Sequence, residues 1–201
     1  MSASSSGRRV GPYDILHSKP IYENAWIKLR EDRVSWRGGP EQVFGVVAMR
    51  PGVSVLPMEE DGSVYLMREF KYAIGEESLE VISGAMESGE KPEHTGLREL
   101  SEECGLIAAE WVDMGVVNPF TTIIASPNHM FLARKLSKVG RGPGAGDQGS
   151  EPRPGERVSV VRMSYEDALF AVLRGQITHA ASCVLILKTR EYLEKQGKKR
   201  Q

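Results

Sequence analysis

The residues whose spacing can do chemistry lie between positions 84 and 106. Reading from Gly84, five residues lead to Glu90 and seven more lead to Arg98 and Glu99; Leu100, Ser101, Glu102, Glu103, Cys104, Gly105 and Leu106 close the run. The pattern is G-x5-E-x7-R-E-U-x-E-E-x-G-U, with U aliphatic. On a helix, Glu99 stands three residues from Glu102 and four from Glu103, so three carboxylates crowd one face. Like charges at those spacings oppose the helix unless something relieves them. Hard divalent cations such as Mg2+ or Mn2+ bind oxygen ligands and favour one or two carboxylates plus substrate phosphates, so the cluster suits metal-assisted chemistry on a pyrophosphate. Arg98 is placed to pair with Glu102 at i+4 and orient it. A solvated acidic helix face would account for a lone E-x-x-E-E. The complete pattern arises by chance in about one chain in ten million.

The elements around that run follow from periodicity and punctuation. Pro92 sits where a helix could begin and Gly105 where it could stop, with Leu97, Leu100 and Cys104 as its apolar stripe. Gly96 inside it costs about 1 kcal/mol relative to Ala, so packing or close backbone approach must compensate. Gly84 and Gly105 allow tight backbone passage on either side. Ahead of the helix, Ile27–Trp36 and Gln42–Met49 flank an Arg37-Gly38-Gly39-Pro40 turn and read as a hairpin. Val53–Met58 and Ser63–Phe70 around Asp61-Gly62 read as a second hairpin, followed by a short strand at Leu79–Ile82. Strands are expected at Trp111–Val117, Met130–Leu136 and Val158–Met163, with a long loop rich in glycine and proline over 140–155. A helix capped by Ser164 runs to about Arg174, and another starts near Thr178. Strands around a central helix, with further helices at the end, make an α/β sandwich.

Composition narrows the partners. The 201 residues carry 26 basic and 27 acidic side chains, a net charge of −1, with no basic stripe beyond Lys198, Lys199 and Arg200. Nucleic-acid and membrane-surface roles lack their electrostatic footprint, and a small molecule is the expected partner. The two cysteines, Cys104 and Cys183, read as reduced packing thiols. No signal-peptide pattern or 18-residue apolar run occurs, so a cytoplasmic protein is expected.

Across residues 84–106 the chain resembles the Nudix hydrolase family, whose signature is the pattern above. The resemblance implies an α/β/α sandwich with a mixed central sheet, here with an N-terminal antiparallel β extension, and hydrolysis of a nucleoside diphosphate linked to another moiety. It implies Glu99 and Glu103 as principal ligands of Mg2+ or Mn2+, Glu102 as a further ligand or water-orienting group, Glu90 as a supporting residue, and the main-chain carbonyl of Ser83 as an additional ligand. Outside the motif, Leu66–Tyr72 followed by Glu80-Val81-Ile82-Ser83-Gly84 is similar to the ADP-ribose and nucleoside-diphosphate-sugar pyrophosphatases. Ile82 stands where proline is usual there, Lys71 where arginine is, and Asn128 where the S-P-G segment has glycine.

That likeness implies a nucleotide-sugar substrate, with nucleoside triphosphates, dinucleotide polyphosphates or non-catalytic nucleotide sensing as alternatives. A glutamate before the late strand would activate water, with Glu156 preferred to Glu151. Arg68 and Lys71 are candidate phosphate contacts. Trp26, Tyr22, Phe44 and Phe120 are candidates to stack on a base, Trp26 and Phe120 foremost. The likeness also implies a homodimer whose N-terminal strands cross to the partner. The expected division is a flexible N-terminus at 1–10, a β region at 11–48, the hydrolase domain at 49–195 and a basic tail at 196–201.

Overall fold

The computed structural model describes residues 8–139 and 158–199. They form two compact units: one takes residues up to Arg50 together with Asn118–Pro127, the other Pro51–Val117 and the described residues from Asn128 onward.

The first unit is a single sheet. Strands β1 (Arg9–Val10), β2 (Tyr13–Glu23), β3 (Ile27–Trp36) and β4 (Glu41–Met49) follow one another antiparallel. Alternating apolar residues and the Arg37-Gly38 turn, both residues at positive φ, make the β3–β4 hairpin expected from sequence. The long strand β2 lies inside the β region expected at 11–48, although Pro20 interrupts its pattern and hides its bounds. It is tolerated where β1 covers only Tyr13 and Asp14 and the rest of the strand is an edge, and the pairing with β3 slips around Pro20.

In the second unit the chain continues with β5 (Gly52–Pro57), β6 (Ser63–Lys71), β7 (Glu76–Glu80), β8 (Ile82–Ala85), α1 (Pro92–Cys104) and β9 (Leu106–Val117). The strand β10 (Ile124–Ala125) then pairs parallel with β4 in the first unit's sheet. After it come β11 (Asn128–Lys138), β12 (Ser159–Ser164), α2 (Tyr165–Leu173) and α3 (Ala180–Lys199). A four-stranded mixed sheet runs β8-β5-β11-β9, with β5 and β11 parallel and the outer pairs antiparallel. A three-stranded antiparallel sheet runs β12-β6-β7.

Two expectations are corrected here. Residues 59–62 do form a tight turn, but the strands on either side of it pair only at the Met58–Val64 bridge, and β5 and β6 lie in different sheets. β5 is buried on both faces, which suits a central strand better than one arm of a hairpin. The single strand expected at Leu79–Ile82 is two strands, because the chain leaves β6 and joins β5 at Val81. The long loop expected over 140–155 lies outside the described residues.

The mixed sheet is the centre of a sandwich. Val53, Val55, Phe131 and Ala133 pack with Leu100 of α1 on one face; Leu56, Met130 and Leu132 pack with Leu185 and Ile186 of α3 on the other. Helix α1 can lie close because Gly96 is a glycine: a β-carbon there would stand 3.1 Å from Trp111, 3.2 Å from Val55 and 3.4 Å from Val53. Pro92 opens the helix and Gly105 ends it at φ 63°, donating its N–H to Ser101.

Candidate active site

Helix α1 lays the motif against the short strand β8. Glu99 reaches back over Gly84 so closely that its carboxylate occupies the space of the missing β-carbon, with Cγ only 2.6 Å from that position. The backbone of Gly84 has an ordinary φ, so glycine is required there for room alone. One turn on, Glu103 points inward beside the main chain of Ser83, while Glu102 is 51% exposed.

Arg98 ties the acidic residues together. Its guanidinium lies 2.8 Å from Glu99, 3.1 Å from Glu102 and 3.4 Å from Glu90, and donates to the carbonyl of Ala85 at 3.4 Å. The expected i+4 pairing with Glu102 is present, and Arg98 also braces Glu99. The Glu87 N–H, Thr95 and Arg98 all favour the charged form of Glu90 and hold its carboxyl down to about 2.

The inner carboxylates behave oppositely. Burial and the charges of Glu99 and Glu69 push Glu103 up to about 8, against the pull of Lys71 and the Ser83 main chain. Burial raises Glu99 as well, although Arg98 opposes it. One carboxylate oxygen of Glu103, Oε2, is buried with no hydrogen-bond partner. A buried acceptor left alone is costly, so the position calls for a cation or a donor. Two carboxylates are hard oxygen donors of the kind Mg2+ or Mn2+ prefers, and such an ion keeps waters and substrate oxygens as its other ligands. The residues fit the ion. Among the described residues no three His, Cys, Asp or Glu side chains stand together so as to hold a metal ion among themselves, so Glu102 does not join Glu99 and Glu103 as a third side-chain ligand.

Behind Glu103 lies a cavity of about 20 Å³, lined by Met67, Glu69, Lys71, Glu80, Ser83 and Glu103 among others. It has room for about one water. Lys71 sits there with its ammonium 2.6 Å from Glu69. Strand alternation turns Arg68 to the opposite face, where its partner is Glu77 at 3.9 Å. The structure thus separates the two cations paired in the sequence reading. A larger cavity of about 680 Å³, lined by Glu59, Glu110, Arg134, Lys135 and Tyr192 among others, contains no motif residue.

Trp26 and Phe120 belong to the first unit, not to the one carrying the carboxylates. They are 64% and 63% exposed, so neither is core, and Arg50 lies 5.0 Å over the Trp26 ring. Glu156 and Glu151 lie outside the described residues. Sequence reasoning gives no role to Glu69 and Glu80, and sets His179 aside because it has no metal-ligand spacing. Glu69 was within reach, being two residues before Lys71 on a strand and hence on its face. Glu80 and His179 are 99 residues apart, and no local pattern links them.

A mixed sheet between helices, with a glutamate helix held against a glycine strand, is the architecture of a known class. The NUDIX domain model matches residues 48–180, and the chain belongs to the Nudix hydrolase family. It is 30% identical over 189 residues to an ADP-ribose pyrophosphatase of Bacillus subtilis, covering 90% of this chain and 95% of that one. It is 27% identical over 182 residues to an ADP-ribose pyrophosphatase of Mycobacterium tuberculosis, covering 87% and 82%. Among solved structures, one described as an ADP compounds hydrolase shares the fold with a TM-score of 0.73 at 19% identity, over 95% of this chain and 99% of that one. Among the described residues no helix is long and apolar enough to cross a membrane.

Proposed function

We propose that the chain hydrolyses the diphosphate bond of a nucleoside-diphosphate sugar, ADP-ribose before other ADP-, GDP- or UDP-sugars, to a nucleoside monophosphate and a sugar phosphate. The observation that carries the chemistry is the buried, unpartnered oxygen of Glu103 beside Glu99 and the Ser83 main chain. The relatives named ADP-ribose pyrophosphatase support the substrate class.

Glu99, Glu103 and the Ser83 carbonyl would hold Mg2+ or Mn2+. Bound there, the ion would neutralise charge on the diphosphate and acidify water. Arg98 keeps Glu99 and Glu102 in place, and Glu90 keeps Arg98 in place. Glu102, the exposed member, orients the attacking water. Lys71 meets a phosphate oxygen, and Glu156 accepts the proton. A homodimer belongs to the same reading and is tested by sedimentation velocity.

The test is a panel of nucleotide sugars and nucleoside triphosphates with Mg2+ or Mn2+. Nucleoside monophosphate from ADP-ribose is the expected product. Pyrophosphate released from a triphosphate would overturn the substrate. Equal inactivity of the parent and Glu103→Gln on the whole panel would leave a nucleotide-binding domain instead.

A further inference from the structure

Glu80 ends β7 directly opposite Met67, on the same face as Glu69 and Lys71. Its side chain is 11% exposed. A carboxylate so far from water needs partners. Two cationic or protonatable groups approach it: Lys71, with Nζ at 3.9 Å, and His179, with Nδ1 at 3.4 Å. His179 immediately precedes α3, and its main-chain carbonyl accepts the N–H of Cys183. Its Nδ1 is 2.8 Å from the hydroxyl of Ser182, which also accepts the N–H of Val81 at 3.0 Å. The start of α3 is therefore fastened to the point where the chain passes from β7 to β8. Glu80 sits inside that fastening.

Lys71 is the part of this assembly free to be misplaced. It lies at the end of β6, just before the turn at 72–75, and a lysine is a point charge on a flexible four-carbon stem. Glu69 holds its ammonium on one side and Glu80 lies on the other. Without the charge on Glu80, Lys71 keeps the partly exposed Glu69 as its close ion-pair partner and the weaker pull of Glu103.

We propose that Glu80, beside His179 and next to the Val81 N–H that Ser182 holds, is a positioning residue that holds the Lys71 ammonium beside Glu103, where it grips one phosphate of a diphosphate. The inference rests on the diphosphate reading above. Glu80 touches no substrate and acts through Lys71.

The experiment measures inorganic pyrophosphate binding by calorimetry in Ca2+, and KM and kcat for ADP-ribose, for the parent, Glu80→Gln, Lys71→Met, the double variant and His179→Asn. Glu80→Gln and Lys71→Met should each weaken pyrophosphate binding by about fivefold or more and raise KM similarly, with little change in kcat, as loss of uniform binding requires. The double variant should bind as Lys71→Met does, because the two residues act as one unit. His179→Asn, which removes the imidazole 3.4 Å from Glu80, should give a smaller loss in the same direction and serves if Glu80→Gln does not fold. Parent-like pyrophosphate binding by Glu80→Gln, or multiplying losses in the double variant, would overturn the inference, as would a parent that binds no pyrophosphate. A parent with the expected binding pattern but no nucleotide-sugar turnover would overturn the substrate instead.

Discussion

The carboxylate of Glu99 fills the space that a β-carbon on Gly84 would occupy. A residue on α1 and a residue on β8 are thereby interlocked, and Gly84 cannot take a side chain unless Glu99 moves. Gly84→Ala should push the Glu99 carboxylate off β8. Mn2+ affinity, followed by titration, should fall about tenfold or more and turnover with it, whereas circular dichroism should show a folded protein. Undiminished metal affinity would mean that Glu99 is not a ligand.

Glu103 gives the metal-free protein a characteristic pH response. The folded chain keeps its proton up to about pH 8, against an ordinary value of 4.5. The stability contributed by the protonated form is therefore complete below the ordinary value and is lost as pH rises through about 8. Glu103→Gln should remove this loss, so its melting temperature without metal should exceed the parent's at pH 8 and match it more closely at pH 5. A variant less stable than the parent at both pH values would refute the assignment.

The same proton competes with metal. Below about pH 8, binding at Glu103 must release it, so divalent affinity should rise with pH and level off near that value. Calorimetry in buffers of different ionisation heat would count the protons released at pH 7. A count of zero would exclude a protonated Glu103 in the metal-free protein.

Much of this site was legible before any fold was known, because the motif is local. Spacing along one helix dictates that Glu99, Glu102 and Glu103 are neighbours, and Pro92 and Gly105 mark its ends. The divergence of β5 from β6 was not legible, since an Asp61-Gly62 turn looks the same whether its strands pair or part. The division of labour among the glutamates was hidden for a similar reason. Only the contact with β8 turns Glu99 and Glu103 inward and leaves Glu102 outside, paired with Arg98. Gly96 is the opposite case, a residue whose local cost pointed correctly to a close approach.

That approach is measurable. In Gly96→Ala the added methyl crowds Trp111, Val55 and Val53 by a few tenths of an ångström, while helix propensity improves by about 1 kcal/mol, so the net change should be within about 1 kcal/mol. Gly96→Leu gains nearly the same helix propensity but forces three further carbons into that space, and should destabilise by about 2–3 kcal/mol net in urea unfolding. Equal stability of the two variants would show that α1 does not press on the sheet.

Water activation by Glu156 rests on its place just before β12. Glu156→Gln should lower kcat by about tenfold or more while leaving Mn2+ affinity unchanged. If turnover is unaffected, Glu151→Gln becomes the variant to measure, and a motif glutamate takes the role if both are active.

The parallel pairing of β5 with β11 has a consequence for how the molecule comes into being. Val53 cannot meet its partner His129 until 76 further residues have been made, and α1 has only half a platform until then. The glutamate helix therefore emerges from the ribosome well before the sheet that buries its apolar side. Pairing across such a separation is slow because loop closure precedes any gain from contact. Until then Leu100 and the strand Gly52–Pro57, both buried in the finished fold, lack the cover that β11 supplies, and apolar surface left open in this way favours aggregation.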